Sequence, residues 1–506
     1  MFPKPAADLR PNTYEFEVKP LIKATGFREY DARWWFGVPG HKTAPELNLV
    51  GVTALGMGIG TLLGEFGVKR EVIVGHDYRA YSSSIKLALA TGLMAAGCKV
   101  HDIGLAVTPM AYFAQFALDV PAVAQVTASH NENGWTGVKM GSRRPVTFGP
   151  EEITRLKEIV FAASYDLKGG GEYIFEDGFA EKYIADLTNR PKLKRRIKVV
   201  AACGNGTAGA FAERILTAIG AEVIPMDTGL DYTFPHYNPN PEDLEMLHAM
   251  SKRVLAEKAE VGLGFDGDGD RCGVIDNTGE EIFADKVGVM LSRDISALYP
   301  GSTFVVDVKS TGIYAIDPVL KKNNARTDYW KTGHSYIKRR VNELSAIAGF
   351  EKSGHYFFNK PIGRGYDDGF VSALAILDML DRNPGKTMAD LKEALPKTWG
   401  SPTMSAHCPD EVKYGIADKV KARFEAMKQK GEKVGGHAIV DLITVNGVRV
   451  VTDDGTWGLV RASSNKPELV VVIESPVSEA RLKEMFGAVD AVLREHKQVG
   501  TYNQTI

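Results

Sequence analysis

Over the first four fifths of the chain, apolar runs of strand length alternate with amphipathic runs of helix length, the pattern of successive β-α-β units. REVIVGHD (70–77) predicts a strand ending in a polar turn, SSSIKLALATGLMAAG (82–97) the helix after it, and KVHDIG (99–104) the next strand. The cycle returns as IKVVAAC, AGAFAERILTAIG and AEVIPMD from residue 197, and as TFVVDVKS and STGIYAIDPVLKK from residue 303. Three such openings, near residues 71, 197 and 303, predict three related α/β domains. Past LPKTWGSPT (395–403) the pattern changes to strand-like pieces, a polar loop and one terminal helix, SEARLKEMFGAVDAVLREH, so the last domain is expected to be α+β. Breaks at RPKLKRRIK (190–198), at LYPGSTF (298–304) and near residue 396 lead to four domains, 1–168, 169–297, 298–396 and 397–506.

Composition narrows the function classes. At 506 residues, 44% hydrophobic and 25% charged, the chain has material for several cores, and global disorder is excluded. Lys and Arg number 61 against 63 Asp and Glu, a net charge of −2, so no bulk field would draw a polyanion or a membrane. Nucleic acid and membrane partners are therefore not expected, and the six basic residues in RPKLKRRIK, with no interleaved aromatic, read as a solvated linker. Cys98, Cys203, Cys272 and Cys408 are far apart and form no CxxC pair, which argues for reduced, buried thiols. The N-terminus lacks the apolar core of a secretory signal, so a cytoplasmic location is expected.

VPAVAQVTASHN, KAEVGLGFDGDGDR and LSAIAGFEKSGH each run from an apolar strand into a polar loop, the place where α/β sheets carry their sites. In FDGDGDR (265–271), alternation with glycine lets Asp266, Asp268 and Asp270 converge, and three carboxylates at one place call for a hard cation such as Mg²⁺. An EF-hand would need Gly and Glu where Arg271 and Asn277 stand. TASHNENGWTGVK (127–139) offers Ser129 at a strand end beside His130; no GxSxG surrounds it, which disfavours a triad hydrolase. A phosphorylated Ser129 could meet the cation of the aspartate loop. FEKSGH (350–355), preceded by KTGHSYIK with His334, compresses carboxylate, hydroxyl and imidazole into one loop and suits a polyhydroxylated ligand. RASSNKP (461–467) joins Arg461 to two hydroxyls and an amide, a pocket for a phosphate dianion. A competing signature is Gly204, Gly206 and Gly209 after the strand IKVVAAC, with Asp227 one strand later, a dinucleotide-binding spacing that would fit a nicotinamide oxidoreductase.

In chain order these four loops resemble the α-D-phosphohexomutase family, the phosphomannomutases and phosphoglucomutases, over nearly the whole chain from FREYDAR at residue 27 to Glu474. TASHN resembles the family's phosphoserine loop, FDGDGDR its metal loop, EKSGH its sugar loop and RASSNKP its phosphate loop. Tyr30 and Arg33 in FREYDAR, GHDYR at 75–79 and Lys309 in VKST add to the match. Glu132, Trp34 and Asn465 depart from it, standing where proline, glycine and threonine are common.

The resemblance implies a fold of three related α/β domains with mixed sheets plus a C-terminal α+β domain around a central cleft. It implies interconversion of hexose 6-phosphate and hexose 1-phosphate, of mannose or glucose, through phosphorylated Ser129 and a hexose 1,6-bisphosphate that also acts as activator. Metal ligands would be Ser129, Asp266, Asp268 and Asp270, holding Mg²⁺. The catalytic set would be Ser129, His130, Lys139, Arg33 and His355. Substrate would be bound by Tyr30, Arg271, Lys309, His334, Glu351, Lys352, Ser353, Gly354, Arg461, Ser463, Ser464 and Asn465. Hexose phosphates are the expected partners, and a monomer or weak dimer the expected assembly. A phosphoglucosamine mutase of the same mechanism, a nicotinamide oxidoreductase and a non-catalytic sugar-phosphate sensor are the alternatives.

Overall fold

The apolar run that begins at residue 71 forms the strand Glu71–His76, whose four central residues are all buried, as a strand covered on both faces requires. In the computed structural model, which describes residues 2–464 and 466–504, it lies at the centre of a six-stranded sheet. Lys99–Leu105 and Ala122–Val126 flank it in parallel, and Glu172–Phe175 adds a parallel edge. Trp135–Gly141 then returns antiparallel to Ala122–Val126, and Ala32–Trp35 pairs antiparallel with it in turn. Because Val126 faces Val138 across this ladder, residues 127–134 form the connection at the carboxyl edge, and Ser129 lies in it.

The second sheet repeats the plan: Lys198–Ala202 lies parallel to Glu222–Met226 and to Val261–Phe265, and Cys272–Asp276 returns antiparallel. The aspartate loop is the connection between Val261–Phe265 and Cys272–Asp276, the topological twin of the Ser129 loop. A third copy is Thr303–Asp307, parallel to Arg326–Trp330 and to Ala348–Phe350, after which the chain enters the Glu351 loop. The sequence echo among the three loops thus reflects one topology used three times.

The chain gathers into two bodies. One comprises residues up to Ile282 together with Ser353–Met388; the other comprises Phe283–Lys352 together with residues from Ala389 onward. In the second body an antiparallel sheet runs in the order Trp399–Gly400, Glu468–Ser475, Trp457–Ala462, Val448–Thr452, His437–Ile443, Lys433–Val434, with Met404–His407 also on Glu468–Ser475. ELVVVIES is buried along nearly its whole length because both faces are covered. Leu469, Val471 and Ile473 pack with Ile416, Phe424, Leu482 and Met485 of two helices, while Val470 and Val472 alternate to the other face, against Val308 and Trp457.

Three elements depart from expectation. AGAFAERILTAIG was expected as one helix but divides into a 3-10 turn, Thr207–Ala210, and a short helix, Ala212–Ala218. Gly209 is drawn so close to its neighbour that a β-carbon there would lie 2.2 Å from the carbonyl oxygen of Thr228. STGIYAIDPVLKK likewise yields Ile313–Ile316 and Pro318–Lys322. Pro318 forces Asp317 out of the helical region, and the Asp317 carboxylate then caps the second helix by accepting from Val319 N and Leu320 N. The last module also contains a helix of 20 residues, Asp410–Gln429, beyond the one terminal helix expected. Its buried positions Ile416, Ala417, Val420, Phe424 and Met427 keep helical spacing, but nine charged side chains along the same helix obscured the stripe.

Three arginines of the basic linker pair with acids: Arg190 with Asp378, Arg195 with Glu260 at 2.6 Å and Arg196 with Glu222 at 3.2 Å. All four cysteines are buried and unbridged. Among the described residues no helix is long and apolar enough to cross a membrane.

Candidate active site

The first body brings the Ser129 loop, the aspartate loop, Arg33, Lys139 and His355 to one place. Ser129 is 1% exposed and occupies the left-handed region at φ 52°. Its hydroxyl donates to Asp266 Oδ2 at 3.2 Å and lies 3.3 Å from His130 Nδ1. Asp266, Asp268 and Asp270 are all fully buried, and one oxygen from each falls within 4.8 Å of the others. Gly269, at φ 73°, allows the loop to curl, and the amides of Asp270 and Arg271 fold back onto Asp266 Oδ1 at 3.1 and 3.2 Å.

Lys139 comes from the strand Trp135–Gly141 and reaches Asp268 Oδ2 at 2.8 Å and Asp270 Oδ2. Thr108, at the first turn of Thr108–Ala117, donates its hydroxyl to Asp268 Oδ2 at 2.5 Å. Burial alone would raise Asp268, but the Lys139 ammonium and the Thr108 hydroxyl outweigh it and hold the carboxyl well below its usual range. Asp266 is driven the other way, by burial and then by the charges of Asp270 and Asp268. Burial would lower Lys139, yet Asp268 and Asp270 raise it, so it stays charged. His130 is pushed well below the usual imidazole value by burial and by the nearby Arg271 and Arg33 charges, so it stands neutral.

This donor set fits a divalent cation. Asp268 and Asp270 share one ammonium, Asp266 has for counter-charge the Arg271 Nε at 3.7 Å, and Asp268 Oδ1 and Asp270 Oδ1 are buried with no hydrogen-bond partner, so two carboxylate oxygens are left for a cation.

Arg33, from the edge strand Ala32–Trp35, is braced by Asp31 at 3.0 Å and donates to Asn131 Oδ1 at 2.5 Å, on the Ser129 loop. Tyr30 is half-buried just before that strand. Arg271 donates through Nε to His355 Nε2 at 3.0 Å, and His355 Nδ1 faces Asp367 Oδ2 at 3.0 Å. That network assigns the His355 proton to Nδ1. Gly354, at φ 91°, lets the strand-like bridge between Arg271 and His355 form; Ser353 is half-buried beside it.

In the second body, Glu351 is 2% exposed and accepts the amide of Gly333 at 2.6 Å, which ties the sugar-loop candidate to the start of the helix His334–Glu343. Lys352 is half-buried. Lys309 lies 3.8 Å from Asp307 at the end of its strand. Arg461, in the strand Trp457–Ala462, donates to Asn446 Oδ1 at 3.3 Å and to its neighbour's carbonyl, Ala462 O, at 2.8 Å. The Ser463 hydroxyl accepts from Lys466 N at 3.3 Å, and Ser464 is half-buried. Asn465 lies outside the described residues.

Sequence reasoning missed Thr108 and Asp367, and it noted Asp77 and Arg79 only as part of the GHDYR motif, with no task assigned. Asp367 had a signal in the paired acids of GYDDG; Thr108 had none, because its partner is 160 positions away.

The Gly204-Gly206-Gly209 loop is filled by the chain itself. Thr207 N donates to Gly267 O at 3.0 Å, and a β-carbon at Gly206 would lie 3.0 Å from the Gly267 α-carbon. Asp227, the acid such a signature would direct at a ribose, instead takes the Tyr237 hydroxyl and His236 Nδ1. The glycines serve close packing, Gly204 against Pro239, Gly206 against Gly267 of the aspartate loop and Gly209 against Thr228.

Four family profiles match along the chain in order: phosphoglucomutase/phosphomannomutase alpha/beta/alpha domain I on residues 25–166, domain II on 181–279, domain III on 283–399, and the C-terminal domain on 408–492. The chain is 33% identical over 480 residues to the phosphomannomutase/phosphoglucomutase of Pseudomonas syringae pv. tomato, covering 94% of this chain and 97% of that protein. It is 30% identical over 468 residues to a phosphoglucomutase of Neisseria meningitidis, covering 92% and 96%. A crystal structure of a phosphoglucomutase/phosphomannomutase family protein from Burkholderia thailandensis superposes with a TM-score of 0.84 at 30% identity, covering 96% of this chain and all of that one.

Proposed function

Because the chain belongs to the phosphoglucomutase/phosphomannomutase family and is a phosphohexomutase, we propose that it interconverts the 6- and 1-phosphates of mannose and glucose through phosphorylated Ser129 and a hexose 1,6-bisphosphate. The observation that carries this reading is the buried Ser129 hydroxyl 3.2 Å from one of three clustered carboxylates that Lys139 only partly neutralises. A phosphoryl group on that oxygen adds roughly two negative charges. A Mg²⁺ held by Asp266, Asp268, Asp270 and an oxygen of the Ser129 phosphoryl group would offset part of them and polarise that group.

The remaining chemistry belongs to the chain. Lys139, kept charged by Asp268 and Asp270, offers a fixed positive group beside the transferring phosphate and, holding its proton, is not the base. His130 is neutral and 3.3 Å from the serine oxygen, within reach of the proton that oxygen carries when it is not phosphorylated. His355, oriented by Arg271 and Asp367, and Arg33, oriented by Asp31, are the other groups assigned to proton transfer at the sugar hydroxyl. In the first half-reaction the sugar hydroxyl loses its proton as its oxygen bonds to phosphorus, and the bond to Ser129 Oγ breaks. In the second, Ser129 Oγ bonds to the phosphorus of the other phosphate, the bond from that phosphorus to the sugar oxygen breaks, and the sugar oxygen regains a proton. Glu351 and Ser353 are assigned to O3 and O4, whose positions exchange when the bisphosphate turns over. His334, Lys309, Lys352, Gly354, Arg271 and Tyr30 are assigned to substrate contacts, and the hexose 1,6-bisphosphate to activation of dephosphorylated enzyme. The domain limits 1–168, 169–297, 298–396 and 397–506 belong to the same proposal.

Arg461, Ser463, Ser464 and Asn465 are assigned to the phosphate that is not being transferred. A guanidinium offers a two-pronged fork that an ammonium cannot. Arg461→Lys is therefore expected to raise KM about tenfold for every phosphosugar by a similar factor. Steady-state kinetics on glucose and mannose phosphates checks this, and a defect confined to one epimer would contradict the assignment.

Rates on glucose, mannose and glucosamine 1-phosphates test the substrate reading. Glucose and mannose differ at O2, and a loop reading O3 and O4 has no group that must separate them, so both are expected to turn over. A preference for glucosamine phosphate above about tenfold, roughly 1.4 kcal/mol in transition-state binding, would reassign the substrate and leave the mechanism in place.

A further inference from the structure

A side chain held at positive φ raises the question of what holds it, since an L-residue reaches the left-handed region only against its own β-carbon. At Ser129 the peptide groups on both sides are pinned by one buried ion pair. Asp77 lies just beyond Glu71–His76 and is fully buried. Its carboxylate accepts from Ser82 Oγ at 2.6 Å, Thr127 Oγ1 at 2.9 Å, Ala128 N at 3.3 Å and the Arg79 guanidinium. Thr127 Oγ1, oriented by that bond, accepts the amide of Ser129 at 2.9 Å. On the other side, Arg79 Nη2 donates to the carbonyl of Ser129 at 3.1 Å and to that of Asn131 at 2.5 Å.

We infer that Asp77 and Arg79 are positioning residues for the nucleophile: with Thr127 as relay, they hold the Ser129 peptide in the left-handed conformation that aims Oγ at the aspartate loop. The inference rests on the reading of Ser129 as the phosphoryl carrier and adds a cause for its geometry. Arg79 reaches Ser129 through the carbonyl, and its charge is matched by Asp77, so the pair contributes orientation and little net field. Orientation matters in phosphoryl transfer because a misplacement of about 1 Å can cost about a hundredfold in rate. A device of this kind affects transfer in both half-reactions and leaves sugar binding alone.

The test uses the full chain and two pairs of variants. Arg79→Lys keeps the charge and loses the fork across the two carbonyls; Arg79→Met loses both. Thr127→Val removes the relay hydroxyl at nearly constant volume, and Thr127→Ser restores it. Asp77→Asn is not used, because it leaves the Arg79 charge buried without its partner. The readouts are Tm, kcat and KM on glucose 1-phosphate, and the rate at which dephosphorylated enzyme gains a phosphate-sized mass on Ser129 from glucose 1,6-bisphosphate.

Arg79→Lys and Thr127→Val are expected to lower kcat and the phosphorylation rate about 10- to 100-fold with KM within about twofold of wild type, and Thr127→Ser to recover most of the rate. If Arg79→Met does not fold, the Thr127 pair decides. Wild-type rates in Arg79→Lys and Thr127→Val, or a loss that falls on KM, would overturn the inference alone. Wild-type enzyme that takes no phosphate on Ser129 would overturn the carrier reading, and this inference with it.

Discussion

Ser129→Ala is expected to lower mutase turnover by roughly three orders of magnitude or more, the scale of removing a covalent nucleophile, with added hexose 1,6-bisphosphate giving no recovery. Alanine meets the same constraint as serine at φ 52°, and the lost hydroxyl makes one donor bond, to Asp266, so stability should change by no more than about 1 kcal/mol. The decisive measurements are turnover, Tm and intact mass. A variant that folds, carries no phosphate and still turns over at a near-native rate would remove Ser129 from the mechanism.

The second large effect separates two aspartates that look alike in sequence. Asp266→Asn and Asp268→Asn should each cost about a hundredfold or more in rate and raise the Mg²⁺ concentration for half-activation, because each removes a ligand from a cation that prefers full oxygen coordination. Their stabilities without metal should diverge. Asp268 is the direct partner of Lys139, so neutralising it weakens a buried ion pair and is expected to cost about 1–3 kcal/mol. Asp266 is raised by burial and by its two neighbours, so its neutral replacement relieves repulsion and should leave metal-free Tm unchanged or higher. Thermal melts in EDTA, with and without added Mg²⁺, read both effects. Equal stability losses would show that Lys139 does not distinguish the two carboxylates, and a wild-type rate untouched by chelation would remove the metal from the reaction.

Legibility of the site followed sequence distance. DGDGD announces itself because three carboxylates converge within five residues, and glycine permits the curl locally. Lys139 could be named only through resemblance, since the strand that carries it touches the aspartate loop across 129 positions. Arg271, adjacent to the acids, reads as their counter-charge; the structure also uses it to fix the tautomer of His355, 84 positions away. GHDYR was visible as a motif, yet its task was not, because Asp77 acts through the hydroxyl of Thr127, 50 positions away, and Arg79 through two backbone carbonyls, which carry no side-chain signal. The glycine loop at 204–209 shows the converse: a spacing shared with dinucleotide sites here permits close packing, with Gly206 against the aspartate loop and Gly209 against the backbone of Thr228.

By itself, the sequence determined the repeated β-α-β plan, the polar loops at the strand ends and the chemical character of each loop, because hydrophobic period, glycine freedom and side-chain charge are local properties. Only the tertiary structure decided which carboxylate Lys139 depresses and which burial raises, that His130 stands neutral, and that Ser129 is held at positive φ. Those outcomes depend on the sum of charges, desolvation and hydrogen bonds at a point in space, supplied by segments of the chain that are far apart in sequence and meet only when the sheets are formed.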